Sequence, residues 1–349
     1  MFRLFASALT LCAQMCALAF NAPAAAQQGA SDSAEFFRGK TISLVVGYSP
    51  GGGFDQAARI LAKSFGRAIP GNPSIIVRNM PGAGSLVAAN YVNNTAPRDG
   101  TVIAVLNDQM LIAPLLKTEG AMFDARKIGW LGASGSRGTT VIFLRADSGV
   151  TTFEESQRKT ALIAATGPDA TSSYALLANE LLGMKLQLVM GYRGGSSEMN
   201  LAIARGEVHG RVSWDWESLK HYQPDWLANK MVNVIVQLGM KPNPELPNVP
   251  MAINLAKSEE DRQIMEIVFG AGQFLRNYSV PAGVPEARLA ELRAAFAKTM
   301  ADAEFRHDTE ATTPQGVDFS PPEKIDAFLN RVYSFPPRVI ERAGKFVGQ

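Results

Sequence analysis

The chain has 349 residues, of which 46% are apolar and 19% are charged, and its formal net charge at pH 7 is +2. Together with a mean hydropathy near zero, this composition is typical of a globular protein and excludes a disordered chain. The positive charges are spread along the sequence, which argues against a nucleic-acid-binding protein.

The start of the chain has the layout of a secretory signal peptide. Residues 1–26 contain one early cation, Arg3, then a short apolar run, then small residues ending in Ala24-Ala25-Ala26. The apolar run is too short for a membrane span, and no later window is long and apolar enough. We therefore expect residues 1–26 to be removed and the mature chain to be soluble.

Both cysteines, Cys12 and Cys16, lie in this leader. A mature chain cleaved near Ala26 would have no disulfide, no thiolate nucleophile and no cysteine-ligated metal. A lipoprotein anchored through one of the two cysteines is the alternative. Residues 10–11 and 14–15, which precede them, are not the small residues that such processing usually requires.

The N-terminal half of the mature chain alternates between strand and helix patterns. Apolar, β-rich runs predict strands over 41–48, 73–80 and 101–106. Helical patterns follow the first two strands, one ending at Gly66 and one over 86–94. Such repeated strand–loop–helix units predict a parallel sheet with helices on its faces.

A second α/β unit is predicted further along the chain. Strand patterns occur over 139–145, 160–166, 186–190, 210–214 and 232–239, and helical patterns occur over 173–183 and 198–207. A proline-rich loop (241–250), a strand (274–280) and a helix (284–300) follow. A mature chain of about 320 residues is long enough for two domains.

Two glycine-rich turns, Ser49–Asp55 (SPGGGFD) and Pro81–Ser85 (PGAGS), lie at strand-to-helix junctions. Glycine allows the backbone to approach a ligand, and the first N–H groups of a helix favour an anion. In a parallel sheet both turns would open at the carboxyl-end edge, which predicts a carboxylate site. For either turn alone, chain geometry is the alternative explanation, and Asp55 is expected to cap the helix or to lie in its first turn.

Motifs of other functions are missing from the sequence. No Gly-Lys-Ser/Thr follows either turn, and the dinucleotide pattern G-x-G-x-x-G fails at Gln56 and at Val87. The histidines, His209, His221 and His307, are too far apart to form a metal pair, and no G-x-S-x-G occurs. We therefore predict no cofactor, no metal and no catalytic residue.

The second unit offers hydroxyl and cationic side chains at its predicted strand ends. Thr166, Thr171 and Ser172 lie near a helix start, where hydroxyls either contact a ligand or cap the helix. Tyr192 and Arg193 precede Gly194, and an arginine beside exposed amides suits a carboxylate. A surface salt bridge is the alternative for this arginine.

The segment Trp214-Asp215-Trp216-Glu217 places carboxylates beside tryptophans. These side chains either select or polarise a ligand, or the tryptophans pack in the core.

Six segments of the mature chain resemble, in order, the hallmark segments of the tripartite tricarboxylate transporter substrate-binding proteins, also called the Bug family. The resemblance extends over nearly the whole mature chain. The segments are VVGYSPGGGFDQAARILAKSF, VRNMPGAGSLVAANYV, PRDGTVIAV, GYRGGSSEMNLAIARGEV, PELPNVP and YSVPAGVPEARLAELRAAF.

The resemblance implies an α/β protein with a two-lobed periplasmic-binding-protein fold of type II-like topology. Each lobe would be a mostly parallel sheet flanked by helices, with the ligand cleft between the lobes. We expect lobe 1 to comprise 27–143 and 273–349 and lobe 2 to comprise 144–272, so that the chain crosses near Phe143 and Phe274.

The resemblance also implies a periplasmic, monomeric, non-enzymatic protein. Its ligand would be a small carboxylate, either a di- or tricarboxylate or an aromatic acid. The protein would deliver this ligand to a membrane transporter with one large and one small integral subunit. A sensor module acting on a membrane histidine kinase is one alternative. An extracytoplasmic enzyme acting on carboxylic acids is another, with Asp169, Asp215 and Glu217 as its candidate acid–base residues.

In the family, the turn after the first strand and a second glycine turn meet the carboxylate, and the second lobe adds a helix start and a Tyr-Lys-Gly-like stretch. Residue patterns and resemblance together predict these ligand-binding residues: Tyr48, Ser49, Gly51, Gly52, Gly53, Phe54, Gly82, Ala83, Gly84, Ser85, Thr166, Asp169, Thr171, Ser172, Tyr192, Arg193, Gly194, Trp214 and Asp215.

Two departures from the family pattern, at residues 47–51 and at residues 170–174, leave the identity of the carboxylate open. Residues 47–51 read Gly-Tyr-Ser-Pro-Gly where many relatives have Phe-Pro-Pro-Gly-Gly. Residues 170–174 read Ala-Thr-Ser-Ser-Tyr in place of Gly-Ser-x-x-His, and Arg193 replaces the lysine.

Overall fold

The structure is a computed structural model that describes residues 35–166, 170–192, 196–313 and 315–347. In these ranges ten strands form two five-stranded sheets. The strands are β1 (Thr41–Val46), β2 (Ser74–Asn79), β3 (Val102–Leu106), β4 (Gly129–Gly135), β5 (Thr140–Arg145), β6 (Ala161–Ala165), β7 (Leu186–Met190), β8 (Gly210–Asp215), β9 (Val232–Leu238) and β10 (Leu275–Val280).

Helices cover both faces of the two sheets. They are α1 (Gly53–Ala68), α2 (Leu86–Asn94), α3 (Phe153–Ser156), α4 (Ala170–Leu182), α5 (Ser196–Arg205), α6 (Trp216–Tyr222), α7 (Pro224–Ala228), α8 (Glu259–Gly270), α9 (Glu286–Met300), α10 (Ala303–Glu310), α11 (Pro322–Tyr333) and α12 (Pro337–Gly344). Among the described residues, none of these helices has the length and apolar character needed to cross a membrane.

The two sheets have the same plan. In the first, with order β2-β1-β3-β10-β4, β1 pairs in parallel with β2 and β3, whereas β10 runs antiparallel to β3 and β4. In the second, with order β7-β6-β8-β5-β9, β6 pairs in parallel with β7 and β8, whereas β5 is antiparallel to β8 and β9. The predicted α/β fold with two helix-flanked sheets is confirmed. Each sheet is mixed because one strand enters it from the other sheet.

Helix α1 illustrates how the sequence produces these layers. Ala58, Leu61 and Phe65 recur at helical spacing and are fully buried. They pack with β1 and with α9, whose Phe296 meets Phe65 edge-on at 6.0 Å between ring centroids. Burying aromatic and aliphatic side chains of this size stabilises the layer by about 1.5–3 kcal/mol each. This packing holds the start of α1 at the edge of the first sheet.

Two crossovers join the sheets. The chain passes from β4 to β5 over residues 136–139, and it returns from β9 through α8 to β10. The N–H of Arg137 on the first crossover donates to the carbonyl of Gly272 on the second, at 2.8 Å. Phe143 lies within β5, and Phe274 immediately precedes β10. The first change of sheet therefore occurs just before Phe143.

Candidate ligand-binding site

The two predicted glycine turns lie against each other at the carboxyl-end edge of the first sheet. A Cβ atom at Gly47 would overlap Ser85 Oγ, so the backbones can approach only because residue 47 is glycine. Ser85 Oγ donates to the carbonyl of Gly47 at 3.5 Å and accepts from the N–H of Asn107 at 3.2 Å. The fully buried Ser85 therefore joins both turns to the segment that follows β3.

The carboxylate of Asp55 holds the first turn in place through hydrogen bonds. It accepts from the N–H of Gly51, from Asn79 Nδ2 and from Arg59 Nε, each at 2.9 Å. Asn79 Nδ2 also donates to the carbonyl of Tyr48 at 2.9 Å. Asp55 is 2% exposed, and hydrogen bonding, chiefly from Arg59, lowers its pKa to about 2. It lies in the first turn of α1, as the sequence led us to expect.

Replacing Asp55 by Asn should destabilise the protein by about 1–3 kcal/mol at pH 7. The NH2 group of the asparagine cannot accept the hydrogen bonds that the carboxylate accepts, so donors in the turn lose their partner. A pKa lowered by folding stabilises the folded state above the unfolded pKa, and this stabilisation is lost as the pH falls through the folded pKa. The difference from the parent should therefore shrink between about pH 4 and pH 2. Urea unfolding at pH 7, 4 and 3 measures it.

The control for this prediction is Glu119→Gln, which changes an exposed carboxylate. At pH 7 its free energy of unfolding should equal that of the parent within about 0.5 kcal/mol. A gap between the parent and Asp55→Asn that stays constant from pH 7 to pH 3 would contradict the role assigned to the Asp55 carboxylate.

The surface of the two turns is open. A Cβ atom at Gly51 or at Gly84 would have no neighbour within 4 Å, and one at Gly52 would meet only the Ser49 carbonyl at 3.8 Å. Gly51, Gly52 and Gly53 are exposed. The first N–H groups of α1 have no intrahelical acceptors, and the helix dipole favours an anion there. The first turn therefore presents backbone donors to a solvent-accessible space.

The second turn has unusual backbone conformations. Residues 82–85 all have positive φ, and Ala83 (φ 43°) and Ser85 (φ 83°) are not glycines. Non-glycine residues in this region are strained by roughly 1–3 kcal/mol each, and such strain persists where the surroundings enforce it. The contacts between Ser85 and the first turn hold the second turn in these conformations.

Aromatic side chains border the first turn. Tyr48 and Phe54 stack with ring centroids 4.5 Å apart. The Tyr48 hydroxyl accepts a hydrogen bond from Asn107 Nδ2, and burial raises the pKa of Tyr48 above its ordinary value. The site thus combines backbone donors with one apolar wall.

On the second sheet, two of the predicted hydroxyl residues contact each other across the loop between β6 and α4. Thr171 Oγ1 accepts from the N–H of Thr166 at 3.1 Å and lies 3.2 Å from Thr166 Oγ1. Thr171 and Ser172 are buried at the start of α4, and Tyr192 is half-buried. These contacts join the start of α4 to the end of β6. Three predicted residues, Asp169, Arg193 and Gly194, lie outside the described residues.

The segment 214–217 is part of the protein interior and of a helix cap. Trp214 is buried and packs against Phe143, with ring centroids 5.9 Å apart. Asp215 accepts from the N–H of Ser218 at 2.8 Å as the N-cap of α6, and it also accepts from Gln315 Nε2. These contacts favour the core alternative for Trp214 and assign Asp215 a capping role.

A cavity of about 640 Å³ lies between the two sheets beside the crossovers. Among the residues that the structure describes, Asp215 is the one predicted ligand-binding residue in its lining, and neither glycine turn reaches it. Several of its charged groups already have partners, such as Arg137 with Asp108 and Arg331 with Glu266. The lining also contains the cations Lys241 and Lys324. The glycine turns combine open backbone with the start of a helix, and we take them as the candidate carboxylate site.

Sequence reasoning missed one buried ion pair beside the site. Asp108, which follows β3, is fully buried, and its carboxylate accepts from Arg137 Nε at 2.7 Å and from Nη2 at 2.8 Å. The Asp108 charge raises the pKa of Arg137. The pair connects the edge of the first sheet to the first crossover. In the sequence, Asn107-Asp108 comes directly after a strand. The two glycine turns also follow strands, and this shared position is the signal that could have revealed the pair.

No family model matches the chain. A UPF0065 protein in the gbd 5′ region of Cupriavidus necator is 40% identical over 75 residues, which is 22% of this chain and 22% of that protein. The alignment thus spans about a fifth of that relative.

Solved structures match nearly the whole described chain. A TctC solute-binding protein from Polaromonas, solved without ligand, has a TM-score of 0.64 at 19% identity and covers 87% of this chain and 98% of its own. MatC from Rhodopseudomonas palustris with bound malate has a TM-score of 0.56 at 19% identity, with coverages of 88% and 98%. Another R. palustris protein, with adipate, has a TM-score of 0.57 at 16% identity, with coverages of 87% and 97%.

At these identities the solved structures establish the fold. The resemblance seen in the sequence is confirmed at the level of the fold: the chain has the fold of the TctC solute-binding protein from Polaromonas and of MatC.

Proposed function

We propose that this chain is an extracytoplasmic solute-binding protein that captures a small carboxylate, either a di- or tricarboxylate or an aromatic acid. It then delivers the ligand to a tripartite tricarboxylate-type membrane transporter. The observation that carries the proposal is the convergence of two open glycine turns, Ser49–Gly53 and Gly82–Ser85, at one edge of the first sheet. Malate and adipate bound to proteins of the same fold support the ligand class.

Such a site binds its ligand reversibly. A carboxylate seated at the start of α1 accepts hydrogen bonds from backbone N–H groups and lies at the positive end of the helix dipole. The stacked Tyr48 and Phe54 provide a flat apolar surface for the carbon skeleton. Binding in this way needs neither a catalytic residue nor a cofactor, so we propose a non-enzymatic role.

Capture would involve both sheets. We propose that lobe 1 (27–143 and 273–349) and lobe 2 (144–272) approach each other around the ligand, with the two crossovers as the hinge. A ligand that contacts both lobes favours the closed state through its higher affinity for that state. We further propose that the protein acts as a monomer in the periplasm after removal of residues 1–26.

Titration calorimetry and small-angle scattering test this proposal on the mature protein. The probes are malate, adipate, citrate and benzoate, and at least one should bind and reduce the radius of gyration. NMR spectra of that ligand should be unchanged after prolonged incubation with the protein. The absence of both binding and compaction with every probe would refute carboxylate capture, and chemical conversion of the ligand would favour an enzyme.

A further inference from the structure

One cation at the edge of the first sheet has an unusual environment. Arg276 is the second residue of β10, whose start lies beside the end of β3. Its Nη2 atom lies 4.0 Å from the position a Cβ atom would take at Gly53, the first residue of α1, and its Nη1 atom lies 3.6 Å from that position at Gly135. The guanidinium group therefore lies between the first glycine turn and the end of β4.

Within the described ranges, Arg276 has no anionic partner. Its Nε atom is inaccessible to solvent and makes no hydrogen bond, and no carboxylate of these residues lies within the 4.0 Å of an ion pair. Burial lowers its pKa, and the nearby cation Arg137 adds to this effect. Arg137 itself is neutralised by Asp108. A largely buried charge without a partner destabilises a protein unless a counter-ion reaches it.

The backbone at this position is also strained. Arg276 has φ 55°, a conformation that residues with side chains rarely adopt, near the start of β10, which pairs with β3 on one side and with β4 on the other. Such strain persists where surrounding structure enforces it, and it accumulates at ligand-binding sites. Because Gly53 is exposed and Arg276 retains part of its surface, a ligand at the first turn can reach the guanidinium group.

We propose that Arg276 is the charge partner of the ligand, so that one carboxylate bridges its guanidinium group and the first N–H groups of α1. This inference rests on the proposed function and specifies it further. The site would select ionised acids over their esters and amides, because only a carboxylate accepts two charge-assisted hydrogen bonds from a guanidinium fork. Glycine at positions 53 and 135 leaves that space free of side chains.

The test compares the parent with Arg276→Gln and Arg276→Lys by calorimetry, with malate, adipate, citrate and benzoate as probes. The best-binding probe should lose about 10- to 100-fold in affinity with Arg276→Gln. It should lose less with Arg276→Lys, which keeps the charge but not the fork. Arg78→Gln, which removes an exposed arginine of β2, is the control and should bind like the parent.

Two further measurements show whether Arg276 binds the carboxylate of the ligand or has only a structural role. Ligand-free Arg276→Gln should melt at the same temperature as the parent or higher, because an unpaired buried charge is removed. Affinity should also fall with added salt more steeply in the parent than in this variant. If the parent binds a probe and Arg276→Gln binds it equally well, this inference fails while the proposed function stands. If the parent binds no probe, both fail.

Discussion

Replacing Gly52 by Val is expected to weaken carboxylate binding about 10- to 100-fold while leaving the fold intact. Gly52 has φ −79°, an ordinary conformation for valine, and an added Cβ atom would meet only the Ser49 carbonyl at 3.8 Å. The folded chain therefore tolerates the side chain. A ligand at the N-terminus of α1 does not, because the valine methyl groups would occupy its space.

Titration calorimetry with the best-binding probe measures this loss. The free energy of unfolding, measured in urea, should change by no more than about 1 kcal/mol. The matched control is Ser74→Val, which adds the same side chain at an exposed position at the opposite end of β2. Normal ligand affinity in Gly52→Val would show that the first glycine turn serves only chain geometry.

Replacing Asp108 by Asn is expected to destabilise the protein by about 3–5 kcal/mol. The fully buried carboxylate of Asp108 holds the guanidinium group of Arg137 through two hydrogen bonds, of 2.7 and 2.8 Å. An asparagine at this position would leave a cation without its counter-charge at the crossover. The mid-point of urea unfolding at pH 7 measures the loss.

An exposed ion pair provides the control for this substitution. Asp147, whose side chain is 67% exposed, pairs with Arg145, and Asp147→Asn should cost less than about 1 kcal/mol. The double variant Asp108→Asn with Arg137→Met should recover part of the loss, because the unpaired charge is gone. A loss below about 1 kcal/mol for Asp108→Asn alone would contradict the structural role of the pair.

Most strands were predictable from the sequence alone. The predicted strand 186–190 coincides with β7, and the predicted helix 86–94 coincides with α2. Their hydrophobic runs and turn residues are local signals, and local propensity and burial agree at these positions. Both glycine turns were located for the same reason, because a turn between a buried strand and a helix is marked by its own residues.

Strand β4 could not be predicted, because most of its residues are small and they follow no alternation. Its segment GWLGASG is rich in glycine, and all seven of its residues are buried. A Cβ atom at Gly132 would lie 2.7 Å from the carbonyl of Ser320, and Ala133 pairs with Ser320 through backbone hydrogen bonds. Small residues are therefore required by a segment nearly 190 positions away, which no local pattern reveals.

The sequence by itself determined nine of the ten strands, several of the helices and the two glycine-rich turns, because each is encoded by neighbouring residues. Only the tertiary structure decided which side chains surround those turns. Ser85 faces inward, Asp108 pairs with Arg137, and Arg276 approaches Gly53 from β10. These contacts join residues between 29 and more than 200 positions apart, and the pairing of strands within the first sheet brings them together.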